Sequence, residues 1–100
     1  MEKGKIKYDF TTKMWRHNST GGWYFVSLPK DLSKEIREHF QWQEEGWGRM
    51  KAFAGIGEMT WESSIWFDTK MDTYILPIKA DIRKRLNLEV DQEIHMNVWI

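Results

Sequence analysis

From Lys5 to Met14 the chain alternates without a slip. Ile6, Tyr8, Phe10, Thr12 and Met14 fall on one side, and Lys5, Lys7, Asp9, Thr11 and Lys13 fall on the other. Successive side chains of an extended backbone point to opposite faces, so a period of two marks a strand with one face buried. The last residues repeat the pattern, with Ile94, Met96, Val98 and Ile100 alternating with His95, Asn97 and Trp99. Both ends of the chain are therefore committed to sheet.

The segments between them read as further strands broken by turns and two short helices. His17 to Gly22 is a run of turn formers, and Trp23 to Leu28 is an aromatic and β-branched strand stopped by Pro29. After Pro29 the period changes to four, with Leu32, Ile36 and Phe40 among charged residues. This predicts an amphipathic helix opened near Asp31. Gln41 to Gly48 is a polar and aromatic connection. Arg49 to Ile56 and Met59 to Phe67 are strands joined at Gly57-Glu58, where Gly supplies the positive φ that a two-residue hairpin turn needs. Asp68 to Asp72 is a turn, and Thr73 to Leu76 is a strand ending at Pro77. Lys79 to Leu86 is a second short helix, and Asn87 to Gln92 is a polar turn. The expected fold is mainly β, a single domain over residues 1–100, with six strands and two short helices.

One internal echo crosses these elements. Tyr24-Phe25-Val26-Ser27-Leu28-Pro29-Lys30 leads to Glu35-Ile36-Arg37, and Tyr74-Ile75-Leu76-Pro77-Ile78-Lys79 leads to Asp81-Ile82-Arg83. Each copy reads strand, Leu-Pro, Lys, then a helix carrying acid-Ile-Arg. Two copies of about half a domain each point to a pseudo-two-fold barrel rather than a solenoid.

At these residues the chain resembles a known family. Phe10 to Arg16 followed by Gly21-Gly22-Trp23-Tyr24-Phe25-Val26-Ser27-Leu28-Pro29 looks like its opening signature. Further matches are Gly46-Trp47-Gly48-Arg49, Gly57 followed by Trp61 and Ser64, and Tyr74-Ile75-Leu76-Pro77 running to Ile82-Arg83-Lys84. The family is the domain of unknown function numbered nineteen hundred and five. The resemblance implies a double-split β-barrel, similar to that of swapped-hairpin transcription regulators. It supplies no catalytic residue. Two departures stand out: Ile65-Trp66-Phe67-Asp68 lacks the usual proline, and Val90-Asp91 replaces the usual Gly-Asp. Val resists a positive φ, so the turn before the last strand is in question.

Candidate chemistries are few. There is no cysteine, which excludes disulfides and thiolate catalysis or metal binding. His17, His39 and His95 fit no metal-ligand spacing and read as surface or loop residues, with His95 pointing outward. Ser63-Ser64 lies inside a strand, without the sharp turn that exposes a nucleophile. The carboxylates, Glu44 and Glu45 among them, lie on polar stretches that read as solvated. Neither a metal nor a cofactor is expected.

The seven tryptophans are the odd figure in the composition. Trp42, Trp47, Trp61, Trp66 and Trp99 cannot all face inward. Trp61 and Trp66 differ by an odd number of positions and so face opposite sides of one strand. Exposed indole can mark a binding or partner site. The candidate ligand-binding residues are Trp47, Arg49, Trp61, Ser64 and Arg83, all inside the family motifs. Two basic groups, Lys79 with Arg83, Lys84 and Arg85, and Lys3 to Arg16, offer a nucleic-acid footprint as the alternative. Fifteen basic residues meet fifteen acidic ones, so the net charge is zero and nucleic acid is not expected as a partner. No stretch reaches the roughly 18–20 apolar residues of a membrane helix. The expectation is a cytoplasmic, monomeric binding or interaction module for a ligand or protein partner. A swapped-hairpin nucleic-acid regulator is the runner-up, and a small enzyme is third.

Overall fold

The computed structural model describes residues 6–18 and 21–100, without the side chain of Trp47. Ser19 and Thr20 of the turn run His17 to Gly22, and the basic residues Lys3 and Lys5, fall outside the described residues. Six strands appear in chain order: β1 (Lys7–Arg16), β2 (Tyr24–Ser27), β3 (Arg49–Ile56), β4 (Met59–Asp68), β5 (Thr73–Pro77) and β6 (Glu93–Trp99). Helix α1 (Lys30–Phe40) follows β2, and helix α2 (Ala80–Leu86) follows β5. The strands close into an antiparallel barrel in the order β1-β2-β5-β4-β3-β6.

The barrel closes because its long strands change partner along their length. β1 pairs with β6 from Lys7↔Trp99 to Lys13↔Glu93, then with β2 from Met14↔Val26 to Arg16↔Tyr24. β4 pairs with β3 from Met59 to Trp66, then with β5 from Trp66↔Ile75 to Asp68↔Thr73. The inward positions of these strands form one core with Phe10, Met14, Val26, Met50, Ile65, Leu76, Met96 and Val98. Each helix adds one residue to it: Ile36 from α1 and Ile82 from α2 are both buried. Burial at every second strand position is the physical meaning of the alternation read above.

Local details follow from residue chemistry. Asp31 accepts a hydrogen bond from the Leu32 amide at 2.9 Å, and its charge favours the first turn of α1. Gly57 sits at φ 60° between Ile56 and Met59, the closing pair of the hairpin. At Gly55 a Cβ would lie 2.9 Å from the Trp99 ring, so any larger residue would have to displace that ring. α2 ends on Asn87 in the left-handed region, and Leu88 donates back to the Arg83 carbonyl at 2.9 Å.

The structure corrects three sequence expectations. Ile6 is 44% exposed, because it lies past the last β1–β6 pair and bonds only the end residue Ile100. Glu44 is not solvated: its side chain is 9% exposed, it accepts from the Tyr74 hydroxyl, and it faces the Arg37 guanidinium at 3.5 Å. The Leu-Pro pairs of the echo are not equivalent positions. The helix starts Lys30 and Ala80 are fifty residues apart, as are Tyr24 and Tyr74 in the strands. The Leu28 amide donates to Tyr74 O at 2.9 Å and the Ile78 amide to Tyr24 O at 2.8 Å. Pro77 lies within β5 opposite Phe25, whereas Pro29 caps α1. The Val90-Asp91 turn needs no positive φ at Val90, because Asp91 adopts it at 66° and donates to Met14 O.

Candidate functional site

Strict alternation that fills the core with Met14, Val26, Leu76 and Ile65 must turn their neighbours outward. Trp15, Phe25 and Pro77 stand in register across β1, β2 and β5, and Trp66 of β4 lies opposite Ile75. On this outer wall the chain builds a second apolar cluster. Phe25 is its hub: Trp15 lies 5.1 Å away by ring centroid, Trp23 6.3 Å, His17 6.4 Å and Trp66 6.5 Å. Phe25 is thereby buried although it faces away from the core, while Trp23 remains 54% exposed. Trp15 is held in place by donating its indole N–H to the Ser27 hydroxyl at 2.9 Å.

Two adjoining recesses open on this wall. The smaller, of about 260 Å³, is lined by His17, Trp23, Phe25 and Trp66. The larger, of about 440 Å³, shares Trp23 and Trp66 with it and adds Arg49, Glu62, Ser63, Ser64, Pro77 and Lys79. An apolar floor beside a few polar groups is the usual make-up of a small-molecule site. Among the described residues the buried Trp66 indole N–H finds no acceptor, an unusual state for a donor in a folded chain. Arg49 has one ion-pair partner among the described residues, Glu45 at 3.7 Å, and both side chains are about half exposed, so the pair is weak.

Of the residues singled out from sequence, Arg49 and Ser64 meet in the larger recess. Trp61 does not join them. It lies three positions from Ser64, hence on the other face of β4, and packs half-buried against the core. Arg83 is also elsewhere, with its guanidinium 3.8 Å from the centre of the Tyr24 ring. The side chain of Trp47 lies outside the described residues. The residues that sequence reasoning passed over are Trp15, His17, Trp23 and Phe25. The spacing of Trp23 and Phe25, two apart on one strand face, was the available signal.

A third cavity, of about 490 Å³, lies along α1 beside Phe67. Its chemistry is already committed, because Arg37 stacks 3.8 Å over the Phe67 ring and faces Glu44. Among the described residues no three His, Asp or Glu side chains come together as a metal site would require. His39 bonds the Glu35 carbonyl and His95 lies 3.4 Å from the Thr11 hydroxyl, both exposed. No helix of the described chain is long and apolar enough to cross a membrane.

No curated protein matches the chain. A family match extends over residues 10–98, from within β1 to within β6. The chain belongs to the family described as Domain of unknown function (DUF1905).

Proposed function

We propose that the chain is a non-catalytic binding module whose ligand lies on the outer aromatic wall. The observation that carries this reading is Trp23, a large indole left 54% exposed over a recess whose remaining walls are aromatic. Holding apolar surface in water is unfavourable by roughly 25 cal/mol per Å². A fold that packs Trp15, Phe25 and Trp66 there, and leaves one face open, is built for something to cover it. The lining supports binding rather than catalysis. Its titratable side chains are Arg49, Glu62, Lys79 and His17, and neither serine stands on a strand-to-helix turn beside a base.

Nuclear magnetic resonance of the indole N–H groups tests the reading against a library of small ligands. Bound ligands should shift the Trp23 and Trp66 signals and leave that of Trp42, which is 79% exposed but remote from the wall, unmoved. Trp23→Ala should abolish those shifts while changing stability by only about 0.5 kcal/mol, as an exposed side chain does. Ligands that shift only other signals, or no ligand at all, would overturn it.

A further inference from the structure

We propose, resting on the binding reading above, that the ligand is a planar aromatic monoanion of the aryl carboxylate class. Its ring lies in the smaller recess and its carboxylate in the larger. The two recesses are chemically different and share the Trp23 and Trp66 rings, so one molecule bridges them. The smaller is lined by aromatic side chains alone, which suits a flat ring that stacks. In the larger, Arg49 and Lys79 stand against the single carboxylate of Glu62. That lining carries one excess positive charge, and a monoanion neutralises it. An aromatic cation, which rings of this kind otherwise attract, would meet two like charges there. Among the described residues Lys79 has no ion-pair partner within 4 Å, and Arg49 has only its loose contact with Glu45. Both remain free to turn to a ligand, and the Ser64 hydroxyl in the same recess adds a donor.

Three probes separate the parts of the idea: 2-naphthoate, its neutral analogue 2-naphthamide, and cyclohexanecarboxylate, which has the charge without the plane. Calorimetry with indole resonance as the site reporter should give 2-naphthoate a Kd on the order of 1 mM or tighter, the range for a fragment of this size. The neutral amide should bind about tenfold weaker, the loss of one charge-assisted contact, and cyclohexanecarboxylate should leave the Trp23 and Trp66 signals unmoved. Lys79→Gln and Arg49→Gln should each weaken 2-naphthoate by about three- to tenfold, leave 2-naphthamide unchanged and preserve the melting temperature. Equal binding of acid and amide, or no effect of either substitution, would overturn the anion and leave the binding module standing. If none of the three probes moves these signals while other ligands do, the aromatic carboxylate fails alone. If nothing at all moves them, both proposals fail.

Discussion

Tyr74 shows how one buried polar atom organises its surroundings. Its ring is fully buried and packs edge-on to Phe67 at 5.2 Å, yet its hydroxyl must find an acceptor. Glu44, delivered by the connection after α1, accepts that bond and in turn faces Arg37, which stacks on Phe67. Glu44 and Glu45 look alike in sequence. Only the turn geometry of Gln41–Gln43 and Gly46–Gly48 sends one carboxylate inward and leaves the other outside, and that geometry has no sequence period to betray it. Burial, then the bond and charge of Glu44, push the Tyr74 hydroxyl above its usual value near 10. Burial and the charge of Glu35 push Tyr8 the same way. A group that holds its proton more tightly when folded adds stability that is complete below the unfolded pKa and is lost above it. Stability should therefore hold steady up to about pH 10, the usual tyrosine value, and fall beyond it. Tyr74→Phe should cost about 1–2 kcal/mol at neutral pH and flatten the alkaline decline. Urea midpoints for both proteins from pH 8 to 11 decide this, and parallel curves would refute it.

At the scale of elements, strand alternation and helix spacing were legible because each depends on neighbours in sequence. β3, β4 and β6 begin and end within a residue or two of the segments read from period two, and the hairpin falls on Gly57-Glu58. The acid-Ile-Arg echo also has a structural counterpart. Ile36 and Ile82 both enter the core, and Arg37 and Arg83 each lie 3.8 Å from an aromatic ring centre. The outer wall was not legible. Its rings come from β1, β2, β4 and the turn before β2, and a period of two does not say which strands lie side by side. The end of α2 at Leu86 was legible, since Asn87 opens the polar turn that follows, and the capping role falls to Asn87 rather than to a glycine. At φ 53° a β-branched side chain is strained by roughly 1–2 kcal/mol, whereas Gly is at ease. Asn87→Val should therefore lower the melting temperature by roughly 4–8 °C per kcal/mol lost, and Asn87→Gly should leave it nearly unchanged. Thermal unfolding by circular dichroism checks the pair. Equal melting temperatures for the two variants would mean that the cap is not what ends the helix.

For the whole molecule, the order of strands carries the argument. Exchanging β1 with β4, β2 with β5 and β3 with β6 turns β1-β2-β5-β4-β3-β6 into the same ring read in the opposite sense. Val26 lies opposite Leu76, its own counterpart at a shift of fifty, and the bonds from Leu28 to Tyr74 and from Ile78 to Tyr24 flank that pair symmetrically. A pseudo-two-fold axis through Val26 and Leu76 is the reading that these relations support. In a homodimer such an axis would lie between two chains, each supplying half of the barrel. Here one chain supplies both halves, and every strand has a neighbour on each side. Closure of the ring leaves no terminal strand among the described residues, and pairing along a terminal strand is the common route to β-mediated association. Exchange of halves between two chains would have to open the β1–β6, β2–β5, β3–β4 and β3–β6 pairings to recover the same contacts, with no new surface gained. The chain is therefore expected to be a monomer. Light scattering at micromolar concentration should return a mass near 12.1 kDa that does not rise with concentration. A stable species of twice that mass, with β6 exchanged between chains, would show instead that the internal axis has not replaced the dimer axis.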